Sequence, residues 1–200
     1  MNLIIASIIS LFLFNTPPVP AGYSVGDVVT EFTLKNVDGR NVSLNDYKNQ
    51  EGVIVIFTCN HCPYAKAYES RIMELDKKYA SLNYPVLAIN PNDPIAEPED
   101  SPENMKERAK KMNYSFPYLF DATQQVAKDF GATRTPHLFL LQQVDGKFKV
   151  AYIGAIDDNM DDASAAQNKY VEQAIASLKK GEKPAVTFTK AIGCTIKWKE

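Results

Sequence analysis

Cysteine is scarce in this chain: three thiols in 200 residues, far too few for a domain held together by disulfides. Charge of one sign is scarce too, with a formal net charge of -2. No Lys/Arg stripe interleaved with aromatics marks a binding face, which excludes nucleic acid as an expected partner. No internal repeat or low-complexity tract breaks the chain. At 45% hydrophobic and 23% charged residues, 22–200 reads as one domain with a substantial core. No hydrophobic run is long enough to span a bilayer. Leu3 to Phe14 is continuously apolar, but at ~1.5 Å per residue it reaches only about 18 Å against a hydrocarbon core of roughly 30 Å.

That run is followed by Asn15-Thr16-Pro17-Pro18 and then Val19-Pro20-Ala21. A short apolar segment, a helix-breaking stretch and a small residue make a signal peptide over 1–21, although no Lys or Arg precedes the run. The expectation is cleavage after Ala21, a periplasmic or secreted location, and no stable membrane insertion of the mature chain. An uncleaved anchor or a buried N-terminal helix is the alternative.

What the sequence does contain is an alternation of strand and helix patterns. Phe32-Thr33-Leu34 and Val42-Ser43-Leu44 flank a turn at Asp38-Gly39, a small hairpin. Gly52 to Phe57 is a continuous apolar run of strand length, as in a strand covered on both faces. Cys59-Asn60-His61-Cys62-Pro63 follows directly. After it Ala65, Tyr68, Ile72, Leu75 and Tyr79 step by three and four along one helix face. Tyr84 to Ile89 reads as a second buried strand, and 90–100 as a Pro-rich loop. Ser101-Pro102 opens a helix with an N-cap and a first-turn proline. Asp121 opens another that Gly131 ends. Strands His137–Leu141 and Phe148–Ile153 turn at Asp145-Gly146, and a last helix turns Val171, Ala174, Ile175 and Leu178 inward. This order makes an α/β layer fold with helices on both faces of the sheet.

The two cysteines of 59–62 sit where a buried strand meets a helix N-terminus. Unpaired N–H groups and the helix dipole there favour an anion, and thiolates, not thiols, attack disulfides. The expectation is a redox pair in which Cys59 attacks and Cys62 resolves, with the Cys59 pKa lowered from its ordinary ~8.5. A nearby imidazolium at His61 would favour the thiolate further. An inert disulfide clip is the bland alternative. Thr135-Pro136 precedes a buried strand, a position that suits a cis bond as well as an ordinary trans start; with a cis bond the adjoining backbone could dock an extended substrate beside Cys59.

These motifs resemble the thioredoxin superfamily, specifically the peroxiredoxin-like branch of the alkyl hydroperoxide reductase/thiol-specific antioxidant (AhpC/TSA) group. The resemblance runs from about Tyr23 to Trp198. It is carried by Phe57-Thr58-Cys59-Asn60-His61-Cys62-Pro63-Tyr64, Phe116 to Asp121, Thr135-Pro136-His137, Gly154 to Asp158 and Gly193 to Trp198. It implies a thioredoxin-like α/β fold: a central mixed sheet with helices on both faces, an N-terminal β-hairpin extension and a helical insertion before a cis-proline. It aligns Cys59 with the attacking cysteine of thioredoxins, Cys62 with the resolving one and Pro136 with the cis-proline, and so implies exchange with protein thiols or disulfides and with a redox partner protein. No cofactor is expected. The peroxidatic Pro-x-x-x-Thr-x-x-Cys pattern is missing in either register: Val55 and Cys59 precede Cys62 at its Pro and Thr positions, Gly52 and Ile56 precede Cys59. A thiol peroxidase is therefore an alternative only. Two positions where relatives place a proton-handling carboxylate hold Val53 and Ala65, which leaves His61, flanked by Asn60, to tune the site.

Three features stay outside this pattern. Cys194 reads as a small buried hydrophobe or as a third redox thiol able to pair with Cys59 or Cys62 or with another chain. His137 reads as a packed strand residue, or, with Cys59 and Cys62, as part of a copper-carrier site. Asp157, Asp158, Asp161 and Asp162 lack the spacing of a calcium loop and read as solvated charge before a helix.

Overall fold

The computed structural model describes residues 22–200. The apolar run Leu3 to Phe14 and the expected cleavage point after Ala21 lie outside the described residues.

The elements follow the hydrophobic pattern closely. Strand β1 (Thr33–Asn36) and β2 (Asn41–Ser43) form the hairpin. Strand β3 (Gly52–Phe57) is buried throughout, as is β4 (Val86–Asn90). Helix α1 (Pro63–Tyr79) joins them, with Cys62 as its N-cap and Pro63 in the first turn. Helix α2 (Pro102–Met112) begins at Ser101, whose side chain accepts from the Asn104 N–H. Strand β5 (Tyr118–Phe120), helix α3 (Gln125–Phe130), the two-residue β6 (Arg134–Thr135), the long hairpin β7 (His137–Val144) and β8 (Lys147–Gly154), helix α4 (Tyr170–Lys179) and β9 (Cys194–Thr195) complete the order.

Among the described residues, seven strands form one sheet in the order β2-β1-β5-β4-β3-β7-β8. The centre is parallel (β5, β4, β3), whereas β7 runs antiparallel to β3 and β1 antiparallel to β5. Strand β5, three residues long after Pro117, is not legible as a strand in the sequence, yet it joins the N-terminal hairpin to the main sheet. Helix α3 also starts later than Asp121 suggests: Asp121 instead accepts the Ala127 N–H at 2.8 Å from outside the helix, and Gly131 ends it in the left-handed region.

Alternation along the strands builds two cores. Ile54, Ile56, Val86, Ala88, Leu138 and Leu140 pack under α1 and α4. Val53, Val55, Phe57, Leu87, Phe139 and Leu141 face the other way, against α3. There Phe57, Phe130 and Phe139 meet edge to face at 5.1–5.8 Å, each contact contributing about 0.5–1.5 kcal/mol beyond burial. This pins the end of β3, and so fixes where the chain leaves the sheet into Cys59.

The acidic stretch after β8 corrects its expected solvated role. Asp157 is buried and takes Arg71 Nη1 on both oxygens at 2.9 Å, with the Tyr68 hydroxyl donating at 3.1 Å. Arg71 also donates to the carbonyls of Asn159 and Met160. Helix α1 and this loop are thereby tied, because a buried guanidinium is tolerated only where its donors are matched. Asp158, by contrast, is exposed and caps the loop through Gln167 and Asn168.

Candidate active site

Cys59, Cys62 and Cys194 come together at the C-terminal end of β3. Cys59 and Cys62 pack with Ala65, and Tyr64 and Cys194 close over them. The disulfide joins Cys62 to Cys194, with Cα atoms 6.0 Å apart, and Cys59 is the free, buried thiol. Cys194 is therefore bonded, not the free buried thiol of its blander reading. The sulfur of Cys59 lies 3.0 Å from Thr135 Oγ1 and also receives the backbone N–H groups of His61 and Cys62 at the start of α1. The sulfur of Cys62 lies 3.2 Å from the Thr135 carbonyl oxygen; in a reduced site its S–H would donate there.

Thr135 is thus shared by both cysteines. Its peptide bond to Pro136 is cis, as the resemblance implies. The edge of β6 that an extended substrate was expected to use is already paired: Thr135 lies opposite Cys194, and Arg134 opposite Thr195. Strand β9 of the same chain occupies it.

The Cys59 pKa is raised rather than lowered, because the amides at the helix N-terminus are outweighed. Burial pushes the thiol up to about 11, and the negative charge of Asp100 adds to this, against the weaker opposing effects of Thr135 and the two amides. At ~11, roughly one molecule in 10⁴ carries a thiolate at pH 7. Local position favours the anion, but the surroundings remove its water, and desolvation is the larger effect.

Asp100 is the residue that sequence reasoning missed. It is fully buried and accepts three hydrogen bonds: the Asn60 N–H at 2.6 Å, His61 Nδ1 at 2.6 Å and Asn92 Nδ2 at 2.7 Å. The 59–62 turn is therefore clamped onto the loop before α2. Asn60 adds its own bonds, donating to the Glu99 carbonyl at 2.8 Å and accepting from the Tyr118 hydroxyl at 3.1 Å. The same loop holds the C-terminal tail, since Asn92 Oδ1 accepts the Lys197 N–H at 2.9 Å. A carboxylate stands beside the cysteines after all, supplied from 38 residues downstream of Cys62 rather than from Val53, which packs in the core, or Ala65.

The copper-carrier set of Cys59, Cys62 and His137 is not assembled. Cys62 is spent in the disulfide, and His137 opposes Phe57 on the sheet and packs its ring 4.7 Å from that of Phe139. Among the described residues the potential ligand atoms that converge are those of Cys59, His61 and Asp100, all within 4.8 Å of one another. Both oxygens of Asp100 are already committed to donors, so the group reads as a hydrogen-bonded clamp.

Burial lowers the His137 pKa from 6.5 to about 4. The folded state holds it neutral while an unfolded chain would protonate it. Stability from this residue is complete above pH 6.5 and lost as the pH falls toward 4, by at most about 3 kcal/mol. Urea unfolding between pH 7 and 4 should show a shallower loss in His137→Phe than in the wild type. Equal pH slopes would contradict this.

The parallel β3-α1-β4 unit, the antiparallel β7-β8 hairpin and the cysteine turn facing a cis-proline define a thioredoxin-like fold. The chain belongs to the AhpC/TSA family, whose model matches residues 25–153. A crystal structure of an uncharacterized conserved protein from Geobacillus kaustophilus is similar with a TM-score of 0.81 and 36% identity, over 88% of this chain and 93% of that one. The thiol-disulfide oxidoreductase ResA of Geobacillus thermodenitrificans is 26% identical over 133 residues, 66% of this chain and 71% of its own. A chloroplastic peroxiredoxin Q of Gentiana triflora is 26% identical over 133 residues, 60% of this chain and 58% of that protein. Cys194 lies beyond the family match. No described helix is long and apolar enough to cross a membrane.

Proposed function

We propose that this chain is an extracytoplasmic thiol–disulfide oxidoreductase in which Cys59 attacks a disulfide of a partner protein and Cys62 resolves the mixed disulfide. The observation that carries the reading is the grouping of three cysteine sulfurs around Thr135, beside a cis-proline and at the start of α1. A disulfide clip has no need of a third thiol or of a docking edge. The kinship with an oxidoreductase and a peroxiredoxin supports the same class of chemistry, and the signal-like segment 1–21 supports the location.

The resolving role predicts a trap. In the double variant Cys62→Ser/Cys194→Ser, Cys59 can attack a partner disulfide but has no adjacent thiol to release it, so a stable mixed disulfide should accumulate with a cysteine-bearing peptide disulfide, whereas Cys194→Ser, which keeps Cys62, turns it over. Absence of any adduct on Cys59 would sink the reading. Hydrogen peroxide supplied in place of the peptide should be consumed slowly, given the missing peroxidatic pattern; rapid turnover would favour a thiol peroxidase instead.

A further inference from the structure

Strand β9 lies where a substrate is expected. Residues flanking a cysteine are extended, pair antiparallel with the strand that precedes the cis-proline, and place that cysteine against the 59–62 turn. Nothing larger than glycine fits at 193, because a Cβ there would collide with the Thr135 carbonyl. Close approach of the backbone therefore depends on the residue next to Cys194. The segment is held on both sides, by the Thr189 N–H to the Ile153 carbonyl at 2.9 Å and by Lys197 to Asn92 and Asp93. Between these anchors Ile192 is exposed and Cys194 only half-buried.

We propose that residues 193–196 are a tethered substrate of this site: the chain's own C-terminal strand fills the docking edge at Thr135, and Cys59 exchanges into the Cys62–Cys194 bond to release it. The proposal rests on the exchange chemistry assigned above. In the step, the Cys59 thiolate forms a bond to the Cys62 sulfur, the Cys62–Cys194 bond breaks, and its electron pair goes to the Cys194 sulfur. The proton given up by Cys59 ends on Cys194, so one disulfide and one thiol become one disulfide and one thiol with no outside oxidant or reductant. Once freed, Cys194 and its strand can leave the edge, which then accepts an extended segment of a partner whose cysteine thiolate attacks the Cys59–Cys62 bond, the reverse direction of the same exchange. The closed form shields Cys59 from other thiols, in keeping with its 5% exposure.

The mature full-length protein tests this directly. Oxidised samples are alkylated in timed pulses and mapped by mass without reduction, which separates a Cys59–Cys62 loop within one peptide from a cross-link to Cys194. In the wild type, alkylatable Cys194 should appear together with a Cys59–Cys62 bond, and at least about tenfold less of it in Cys59→Ser. Gly193→Ala, which touches no thiol, should displace the strand and raise the rate at which Cys59 reacts with a peptide disulfide by about tenfold or more. The proposal is overturned if Cys194 is released equally in Cys59→Ser, if the new bond is Cys59–Cys194, or if Gly193→Ala matches the wild type while remaining folded by circular dichroism. Failure of the exchange reading looks different: neither protein would react with any peptide disulfide, whatever the internal rearrangement.

Discussion

Asp100→Ala is expected to lower the unfolding free energy by about 3–5 kcal/mol, the range seen when one side of a buried ionic or hydrogen-bonded cluster is removed. The carboxylate has no exposure and serves three donors, from Asn60, His61 and Asn92. Alanine leaves all three without this acceptor in a largely buried site, and each stranded donor costs on the order of 1–3 kcal/mol. Because Asn92 also receives the Lys197 N–H, the loss spreads from the cysteine turn to the C-terminal tail. Asparagine separates charge from shape. Asp100→Asn keeps an oxygen but removes the negative charge that helps raise the Cys59 pKa. The pH at which Cys59 becomes half-alkylatable should then fall below about 11, yet stay above the ordinary thiol value, since burial is the larger cause. An unchanged alkylation profile would show that the charge is not felt at the sulfur, and an unchanged denaturant midpoint in Asp100→Ala would show that the clamp bears no stability.

The second large effect concerns Cys59 itself. Cys59→Ser should reduce exchange with an external peptide disulfide by roughly 10⁴-fold, as when a sole nucleophile is removed, although Cys62–Cys194 stays intact and the fold is unaltered. Serine is close in size, and its hydroxyl can keep the contact with Thr135 Oγ1. Thermal unfolding should therefore move little while activity is lost. Comparable loss in Cys194→Ser would place the essential thiol at the wrong end of the chain; the account expects that variant to exchange readily, because its docking edge is no longer covalently held. A Cys59→Ser protein that still turned over peptide disulfides would assign the attack to Cys62 or Cys194, released from their mutual bond.

Much of this was legible in the sequence because its causes are local. The run Gly52–Phe57, the three-and-four spacing from Ala65 to Tyr79 and the Asp145-Gly146 turn each report a burial pattern or a backbone need that neighbouring residues settle. The cysteine turn was legible for the same reason. Asp100 was not. It sits in a Pro-rich loop just before the Ser101 cap, and no spacing relates it to His61 until the chain has folded. The same holds for β9, two residues long and too short to show a period. His137 was half legible. Alternation along β7 puts it on the face of Phe139 and Leu141, as its packed-strand reading expects, but the Cys62–Cys194 bond that takes away a ligand is not written in that alternation. The Cys59 pKa shows the limit most clearly, since the helix terminus is written locally and the burial that outweighs it is assembled from α1, β6 and the 90–100 loop.

The central claim is that Cys59, Cys62 and Cys194 form one exchange network. Its most direct test is non-reducing mass mapping of the wild-type protein equilibrated across a series of glutathione redox buffers. The account predicts two disulfides, Cys62–Cys194 and Cys59–Cys62, both lost and regained reversibly as the buffer changes while their ratio stays constant, because their interconversion is redox-neutral. Cys59 remaining unbonded at every ratio, with Cys62–Cys194 either fixed or simply reduced, would contradict it.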